Sequence, residues 1–425
     1  MIACLIGLMF FFMLLGFPML MSMSMSPLIT MLLFEPQVDL TILIQRMAAG
    51  VSTYVLLAVP MFILAADIMS HGEMADRLLD FVGSWVKHIP GGLAITAGGA
   101  CTIFGAISGS TQATLVAMGR PMFKPMLKVG YPISHIIALL MCNANIALLI
   151  PPSVCMIMFC VCTGESVGEL FLAGIAPGLF MFICFAAYDF FYAKKKRIGV
   201  TEKASMKERG FAFKRAILAL GFPVLVLGGI YSGLFSPTEA AAASVLYAII
   251  VEGLVYRTLK PADIPKIALS TARVTAQVFI LIAGGNAFSW LVSYAGIPQM
   301  LSNGVFANVT SPTMVLAIVS LFFFVACMFV DSSPVIIIMS PIIYPIAMQT
   351  GVDPIHLGII VTLQSAIGCV TPPFGCNIFT ACGIFHQKFT TVVKGLIPYM
   401  AINIVVSIIL VIFPSFTLLS RNLLM

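Results

Sequence analysis

One stretch of the chain, Asp331 to Phe385, places an acidic residue and helix-breaking groups inside sequence otherwise suited to the interior of a membrane. It begins Asp-Ser-Ser-Pro and continues VIIIMSPIIYP, a short polar break, and then IIVTLQSAIGCVTPPFGCNIFTACGIF. A bilayer offers no water to unpaired backbone groups, and an ionisable side chain within it is costly. Such groups persist where they are buried in protein or line a site. The stretch is therefore predicted to carry function, the alternative being a proline kink with a charge at a helix end.

The rest of the sequence is typical of a polytopic membrane protein. Of the 425 residues, 60% are hydrophobic and only 9% are charged, against about 25% charged residues in soluble domains. The basic residues cluster where membrane topology would place them, so the net charge of +6 does not indicate nucleic-acid binding. The N-terminus has no basic region or cleavage site, so no cleaved signal peptide is expected. The 11 cysteines contain no CxxC and predict buried free thiols, neither disulfides nor a zinc site.

Hydropathy predicts a series of membrane helices on either side of one basic linker. The linker, residues 194–213, is predicted to be cytoplasmic because of its lysines and arginines. Residues 22–34 are too few for a comfortable crossing, and 71–88 predicts an amphipathic surface helix. His135 and His356 lie near span ends and are predicted to be interfacial. Spans are predicted at 2–21, 50–70, 168–193, 214–234, 238–256, 271–296 (with a break at Gly284 to Asn286) and 391–417.

Two segments, 89–119 and 313–350, predict re-entrant helical hairpins. In the first, two short apolar arms flank a Gly-Ser tip, and both outer flanks are basic. One ordinary span with a Gly-Ser kink would put basic clusters on opposite faces, against the positive-inside rule. An interrupted helix follows each hairpin, at 133–162 and at 355–385, each broken at Pro-Pro. Crossings counted from the cytoplasmic linker open the first hairpin inward and the second outward.

Corresponding landmarks recur in order in the two halves of the chain, 1–193 and 214–425. An odd number of crossings in each half makes the copies inverted. Inverted repeats with interrupted helices in matching places are the sequence signature of a secondary transporter. The predicted fold class is therefore an all-α membrane protein of two inverted repeats. The matched pairs are Gly16-Phe17-Pro18 with Gly221-Phe222-Pro223, Phe62-Ile63-Leu64 with Phe279-Ile280-Leu281, Ser108-Gly109-Ser110 with Asp331-Ser332-Ser333, and Pro151-Pro152 with Pro372-Pro373.

The breaks predict ion and solute sites, because a broken helix exposes carbonyl oxygens and N–H groups that a continuous helix would pair. Carbonyls with Ser, Thr and Asn oxygens suit a small hard cation such as sodium, and helix N-termini suit an anion. The sodium candidates are Ser108, Gly109, Ser110, Asn143, Asn145, Asp331, Ser332, Ser333, Gly368, Thr371 and Gly375. The solute candidates are Thr111, Pro151, Ser153, Pro372 and Asn377.

Two structural alternatives remain open for these candidates. Asp331, followed by Ser-Ser-Pro, is also a good helix start, so its carboxylate has a capping role as an alternative to ion binding. For Asn143 and Asn145, the alternative to sodium binding is hydrogen bonding between helices.

A set of motifs in this chain resembles the large membrane subunit of tripartite ATP-independent periplasmic (TRAP) transporters, over essentially the whole sequence. The motifs are IPGGLA, FGAISGS, MLKxGY, IPPS, LFLAGIAPGL, GLFSPTEAAA, DxSPxxxxxxPxxxP, GVDPIHLG and TPPFG. Within the family, the sequence looks most like the sialic-acid branch. Phe374 departs from the family pattern, which has a smaller residue there.

The resemblance implies an elevator-type importer of an organic anion with sodium, in a bacterial inner membrane. It implies that both hairpins and both interrupted helices belong to the moving part. It also implies two partners, a small four-helix membrane subunit and a soluble periplasmic binding protein.

Three other functional classes are weighed against this one. The nearest is a stand-alone sodium–dicarboxylate symporter of related architecture. An ion channel is disfavoured because nothing resembles a selectivity filter. A membrane enzyme is disfavoured because no His/Asp/Glu cluster in the sequence predicts a catalytic metal.

Overall fold

The structure is a computed structural model that describes residues 1–304, 306, 309 and 311–424. Within these residues every regular element is a helix. In the first half they are α1 (Ile2–Leu14), α2 (Met19–Phe34), α3 (Thr41–Val51), α4 (Ala58–Ser70), α5 (Met74–Val86), α6 (Gly92–Ser108), α7 (Thr111–Lys128), α8 (Ile133–Ala144), α9 (Val154–Thr163) and α10 (Val167–Lys196). Short 3₁₀ segments at Tyr54–Leu57 and Asn145–Leu148 adjoin α4 and α8.

The second half contains twelve further helices within the described residues. They are α11 (Met206–Tyr231), α12 (Pro237–Ile249), α13 (Ile264–Tyr294), α14 (Ile297–Asn303), α15 (Pro312–Phe329), α16 (Ser332–Gln349), α17 (Pro354–Gly368), α18 (Cys376–Phe385), α19 (Phe389–Lys394), α20 (Ile397–Ile412), α21 (Pro414–Thr417) and α22 (Leu419–Leu424). A π-helical segment, Ile250–Val255, prolongs α12. Six helices are long and apolar enough to cross a membrane, namely α10, α11, α12 with its extension, α13, α15 and α16.

Two pairs of consecutive helices form tight turns. Helices α6 and α7 are joined through Gly109 and Ser110, and α15 and α16 through Val330 and Asp331. In both pairs the two helices pack against each other. Each of α15 and α16 has 18 residues, or about 27 Å at 1.5 Å per residue, slightly less than the hydrocarbon thickness of a bilayer.

The interrupted segments occupy the centre of the molecule. All residues from His135 to Ala144 in α8 and from Ile355 to Gly368 in α17 are buried. A helix that is apolar around its whole circumference is stable only when neighbours cover every face. Here α8 packs on α6 and α7, and α17 packs on α15, α16 and α10. The breaks in these helices are therefore enclosed by protein.

The N-terminal region is more divided than the sequence predicts. Residues 2–21 are not one span, because Gly16, with φ of +80°, and Pro18 separate α1 from α2. The predicted span 50–70 corresponds to the helical segment Tyr54–Ser70, which meets α3 at a bend of 58°. Proline fixes its own backbone and removes a donor, which explains the first interruption.

Helix α13 is continuous, so the predicted break at Gly284 to Asn286 is wrong. The two glycines serve close packing instead. A Cβ atom on Gly285 would overlap Cγ2 of Ile337 in α16, and one on Gly284 would lie 3.2 Å from Leu20 in α2. The glycines allow α13 to approach its neighbours without ending the helix.

The linker is shorter than predicted, because α10 continues to Lys196 and α11 begins at Met206. A capping box starts α11. The Ser205 hydroxyl accepts from the Glu208 backbone N–H at 3.2 Å, and Glu208 accepts from the Ser205 N–H at 2.6 Å. These reciprocal bonds satisfy backbone donors that would otherwise be unpaired. The helix therefore begins before its apolar run does.

His135 and His356 are buried, and both contact groups of other helices. The His135 ring stacks on Tyr192 with centroids 3.9 Å apart, and its Nε2 lies 3.5 Å from Asp189 Oδ1. The Tyr399 hydroxyl donates to the same carboxylate oxygen at 2.5 Å. These groups join α8, α10 and α20. His356 Nε2 lies 2.8 Å from the Leu410 carbonyl oxygen.

The Asp189–Tyr399 hydrogen bond leads to a stability prediction. Removing the hydroxyl in Tyr399→Phe deprives a fully buried carboxylate of its shortest hydrogen bond. An unsatisfied buried polar group costs about 1–3 kcal/mol, so we expect a clearly lower Tm for the purified protein in a thermal-unfolding assay. Tyr54→Phe, at a mostly exposed ring, is the matched control and should leave Tm unchanged. Equal Tm values for both variants would contradict a stabilising role for this bond.

Candidate functional site

The two helix turns and two other helices surround one cavity of about 420 Å³. The α6–α7 turn, called tip 1 here, comprises Ser108 to Thr111. The α15–α16 turn, called tip 2, comprises Asp331 to Ser333. Helices α4 and α13 also line the cavity, with Asp67, Ser70 and Gln277. All seven residues of the two tips line this cavity, so the structure brings together two segments more than 200 positions apart in sequence.

Tip 1 is held in shape by its own side chains. Gly109 has φ of +58°, and a Cβ there would lie 2.5 Å from the Pro152 carbonyl oxygen, so glycine is required on both counts. The Ser110 hydroxyl caps α7 by accepting from the Ala113 N–H at 3.5 Å. The hydroxyls of Ser108 and Thr114 are 2.7 Å apart. The tip therefore lies directly against the first break, residues 149–153.

Tip 2 contacts both interrupted helices. Asp331 occupies the N-cap position of α16, but its side chain makes no capping hydrogen bond. Its Oδ1 instead accepts from the Cys376 thiol at 3.3 Å, at the start of α18. The Ser332 hydroxyl accepts from the Cys155 thiol of α9 at 3.5 Å. Of the two roles weighed for Asp331, capping through the side chain is not observed.

A chain of hydrogen bonds runs from tip 1 to the helical segments beside both breaks. The Thr111 hydroxyl donates to Asn377 Oδ1 at 3.0 Å, and Asn377 Nδ2 donates to Asn145 Oδ1 at 2.8 Å. Asn145 Nδ2 then donates to the Ala366 carbonyl oxygen at 2.5 Å. All three side chains are buried. Asn145 makes the interhelical bonds that the sequence left as an alternative, and Asn377 connects the two breaks.

Asn143 is not part of this hydrogen-bond chain. Its Nδ2 donates to the Leu139 carbonyl at 2.9 Å, and its Oδ1 is buried without a partner. A Cβ on Gly98, well before tip 1 in α6, would lie 2.5 Å from that oxygen. Residues two positions apart on a helix face different directions. The two asparagines consequently contact different neighbours.

Four other candidates have local roles around the second break, residues 369–375. The Thr371 hydroxyl donates to the Ile367 carbonyl at 2.7 Å. A Cβ on Gly375 would lie 2.6 Å from the Cys369 carbonyl oxygen, and one on Gly368 would overlap Cys327 Cβ. Pro372 forms a cis peptide bond with the next proline. These residues shape the loop and do not line the cavity.

The remaining two candidates belong to the first break. Ser153 caps α9, its hydroxyl accepting from the Met156 N–H at 3.5 Å. Pro151 is buried and forms a cis bond with Pro152. Neither lines the cavity. Phe374 is 55% exposed, and its ring lies 5.8 Å from that of Phe329.

Asp67 and Gln277 are cavity residues that the sequence predictions missed. Asp67 lies in the apolar helix α4, and its Oδ2 accepts from the Thr271 hydroxyl of α13 at 2.8 Å. An acidic residue in an apolar helix is itself a signal for function, so Asp67 could have been found. Gln277 carried no such signal.

The charged side chains that line the cavity are acidic. Among its lining residues that the structure describes, Asp67 and Asp331 are the ionisable acids, and no Lys, Arg or His occurs. Hydroxyls from both tips and the first turns of α7 and α16 supply hydrogen-bonding groups, and the helix N-termini carry partial positive charge. The arrangement can bind a cation directly, and it can bind a carboxylate through hydroxyls and N–H groups.

Comparisons with known proteins agree with the architecture. Residues 6–416 match the family described as "Tripartite ATP-independent periplasmic transporter, DctM component". The ectoine TRAP transporter large permease of Halomonas elongata is 48% identical, covering 100% of this chain and 98% of that protein. The ectoine/5-hydroxyectoine large permease of Ruegeria pomeroyi is 46% identical, covering 96% of each.

Two further matches bear on the branch and the fold. The sialic acid TRAP large permease of Vibrio cholerae is 33% identical over 89% of each chain, so the predicted sialic-acid branch gains no support over the ectoine relatives. The solved Alcanivorax borkumensis YdaH transporter has a similar fold, with a TM-score of 0.64, 15% identity, and coverage of 88% of this chain and 87% of that one.

The family match confirms the predicted resemblance and with it a non-enzymatic transport role. Together with the six apolar helices found among the described residues, the family match indicates a multi-pass protein of a bacterial inner membrane. This chain belongs to the DctM family, the large permease subunits of TRAP transporters.

Proposed function

We propose that this subunit imports a small zwitterionic carboxylate of the ectoine type together with sodium ions. The solute would arrive from a soluble periplasmic binding protein, and the chain would work with a small four-helix membrane subunit. The observation that carries the proposal is the single cavity between the two tips and the α4–α13 face. Sites near the midplane at interrupted helices are typical of secondary transporters.

The charges of the cavity favour a zwitterion over a purely anionic solute. Ectoine combines a carboxylate with a protonated cyclic amidine. Asp67 and Asp331 can pair with the amidinium group or with sodium, whereas no described lining residue is basic. A dicarboxylate or sialic acid would have no direct cationic partner there. The relatives named for ectoine, at 48% and 46% identity, are also more similar than one named for C4-dicarboxylates, at 36%.

Sodium coupling is supported by the oxygen-rich tips. The hydroxyls of Ser108 and Ser110 in tip 1, and the carboxylate and hydroxyls of tip 2, are hard-oxygen donors at the cavity wall. Two sodium ions with a neutral zwitterion would move two positive charges inward. At about 2.3 kcal/mol per charge per 100 mV, the membrane potential would contribute about 4.6 kcal/mol per 100 mV.

The same arrangement supports our proposal of an elevator mechanism. Tip 1, tip 2 and both breaks are connected to one another by hydrogen bonds and close contacts. The two tips line one part of the cavity, here called the first wall, and α4 and α13 line another, the second wall. We propose that the first wall moves relative to the second and carries the solute with it.

Uptake in proteoliposomes tests the substrate and the coupling together. With the small subunit and the binding protein present, labelled ectoine should accumulate under an inward sodium gradient and an inside-negative potential. Sialic acid and succinate should accumulate much less. Accumulation that persists without sodium would reject the coupling. Transport by this chain alone would support a stand-alone symporter.

Asp67→Asn tests the acidic cavity. Hydrogen bonds to charged groups contribute about 1.5–3 kcal/mol, so we expect ectoine uptake at low concentration to fall at least about tenfold. Asp76→Asn, at an exposed position of α5, is the matched control and should retain uptake. Unchanged ectoine uptake in Asp67→Asn would contradict a role for this carboxylate in solute or sodium binding.

Asn377→Ala tests the hydrogen-bond chain. The substitution leaves Asn145 Oδ1 and the Thr111 hydroxyl without their shared partner, at about 1–3 kcal/mol for each buried group. We expect a lower Tm and at least tenfold slower uptake. Asn422→Ala, at an exposed position, controls for expression and reconstitution. A variant with normal Tm and normal uptake would show that the chain does not position the tips.

A further inference from the structure

A cluster of two thiols and a carboxylate lies where tip 2 meets the second break. The Cys369 and Cys376 sulfur atoms and an Asp331 carboxylate oxygen all lie within 4.8 Å of one another. Within the cluster, the Cys376 thiol donates a hydrogen bond to Asp331 Oδ1, with Sγ and Oδ1 3.3 Å apart. The cluster was not predicted, because the three residues are separated in sequence and none forms a CxxC pair.

These separations suit a tetrahedral metal ion with thiolate ligands. Zinc–sulfur and zinc–oxygen distances of about 2.3 and 2.0–2.2 Å place neighbouring ligand atoms roughly 3.5–3.8 Å apart. Small side-chain rotations would bring the three donors to that spacing. Thiolates select soft or borderline ions, whereas sodium and magnesium prefer oxygen.

The cavity gives an ion access to the cluster and space for a fourth ligand. Cys369 is 1% exposed, but Cys376 is partly exposed and Asp331 lines the cavity. Gln112, also at the cavity wall, places its side-chain amide 3.5 Å from Cys376 Sγ. Its amide oxygen, after rotation, or a water molecule from the cavity could complete a four-coordinate site.

We propose that Asp331, Cys369 and Cys376 form a binding site for a thiophilic divalent cation of the zinc and cadmium type. Binding would replace the two thiol protons, so each bound ion would release about two protons. The ion would link tip 2 directly to the second break. It would also occupy the Asp331 carboxylate, which the proposed function needs for sodium or solute, and would therefore inhibit uptake.

Cadmium titration of the purified protein, kept reduced with a phosphine, tests the site directly. We expect one ion per chain with a thiolate-to-cadmium charge-transfer band in the ultraviolet, and release of protons into a weakly buffered indicator solution. Magnesium should produce neither signal. Absence of the band in the unmodified protein would overturn the proposal.

Variants assign the signal to these residues. The double variant Cys369→Ser/Cys376→Ser should abolish the band. Asp331→Asn retains both thiols and should weaken cadmium binding at least about tenfold, because loss of even an outer-shell partner of a metal ligand lowers affinity by about that factor. Cys382→Ser is the matched control, since Cys382 is a partly exposed cysteine of the same helix outside the cluster, and it should retain the band. Equal bands in the double variant and the unmodified protein would place the ion elsewhere.

Uptake measurements then test the consequence, which rests on the proposed function. Cadmium should inhibit sodium-driven uptake, a chelator should restore it, and high sodium should protect against it. Inhibition that is lost in Cys376→Ser but retained in Cys382→Ser would support the link between tip and break. If the band and proton release occur without inhibition, the metal site stands and the assigned role of Asp331 in transport fails.

Discussion

The structure depends on finding partners for polar groups that interrupted helices leave unpaired inside a membrane. Lipid supplies none, so protein must supply all of them. The chain from Thr111 through Asn377 and Asn145 connects the two interrupted helices and gives the Ala366 carbonyl oxygen, near the end of α17, a side-chain partner. Each asparagine both donates and accepts a hydrogen bond. The side-chain hydrogen bonds of one interrupted helix therefore depend on the other interrupted helix. The centre of the molecule is therefore specified by hydrogen bonds between its two halves as well as by apolar packing.

The same centre shows how charge selects what the cavity can hold. Acidic groups line it from two sets of elements, Asp67 in α4 and Asp331 in tip 2. Because no described lining residue is basic, these carboxylates favour cations, which is the physical basis of the zwitterionic solute and the sodium coupling proposed above. The thiols beside Asp331 add a second selectivity, because they distinguish soft ions from the hard ions that oxygen binds.

The sequence predicted the helical class, the two turns and the two breaks, because Gly, Ser and Pro within apolar runs carry local signals. The predictions failed where contacts between residues distant in sequence determine the structure. In sequence, Gly284 and Gly285 look like a helix break, but in the structure they allow close packing against Ile337 and Leu20. Asn143 and Asn145 looked equivalent, and helix geometry separates them. The contacts of His135 with Tyr192, Asp189 and Tyr399 could not be predicted from the sequence, because these residues come from other helices.

Each tip contacts both interrupted helices, and this has a mechanical consequence. Tip 1 lies against Pro152 of the first break and bonds to Asn377 of α18 through Thr111. Tip 2 contacts Cys155 of α9 through Ser332 and Cys376 of α18 through Asp331. Neither hairpin can shift far without displacing the interrupted helix of the opposite half. In the transport cycle proposed above, the two hairpins and the two interrupted helices would therefore move as one body, because each is fastened to the others.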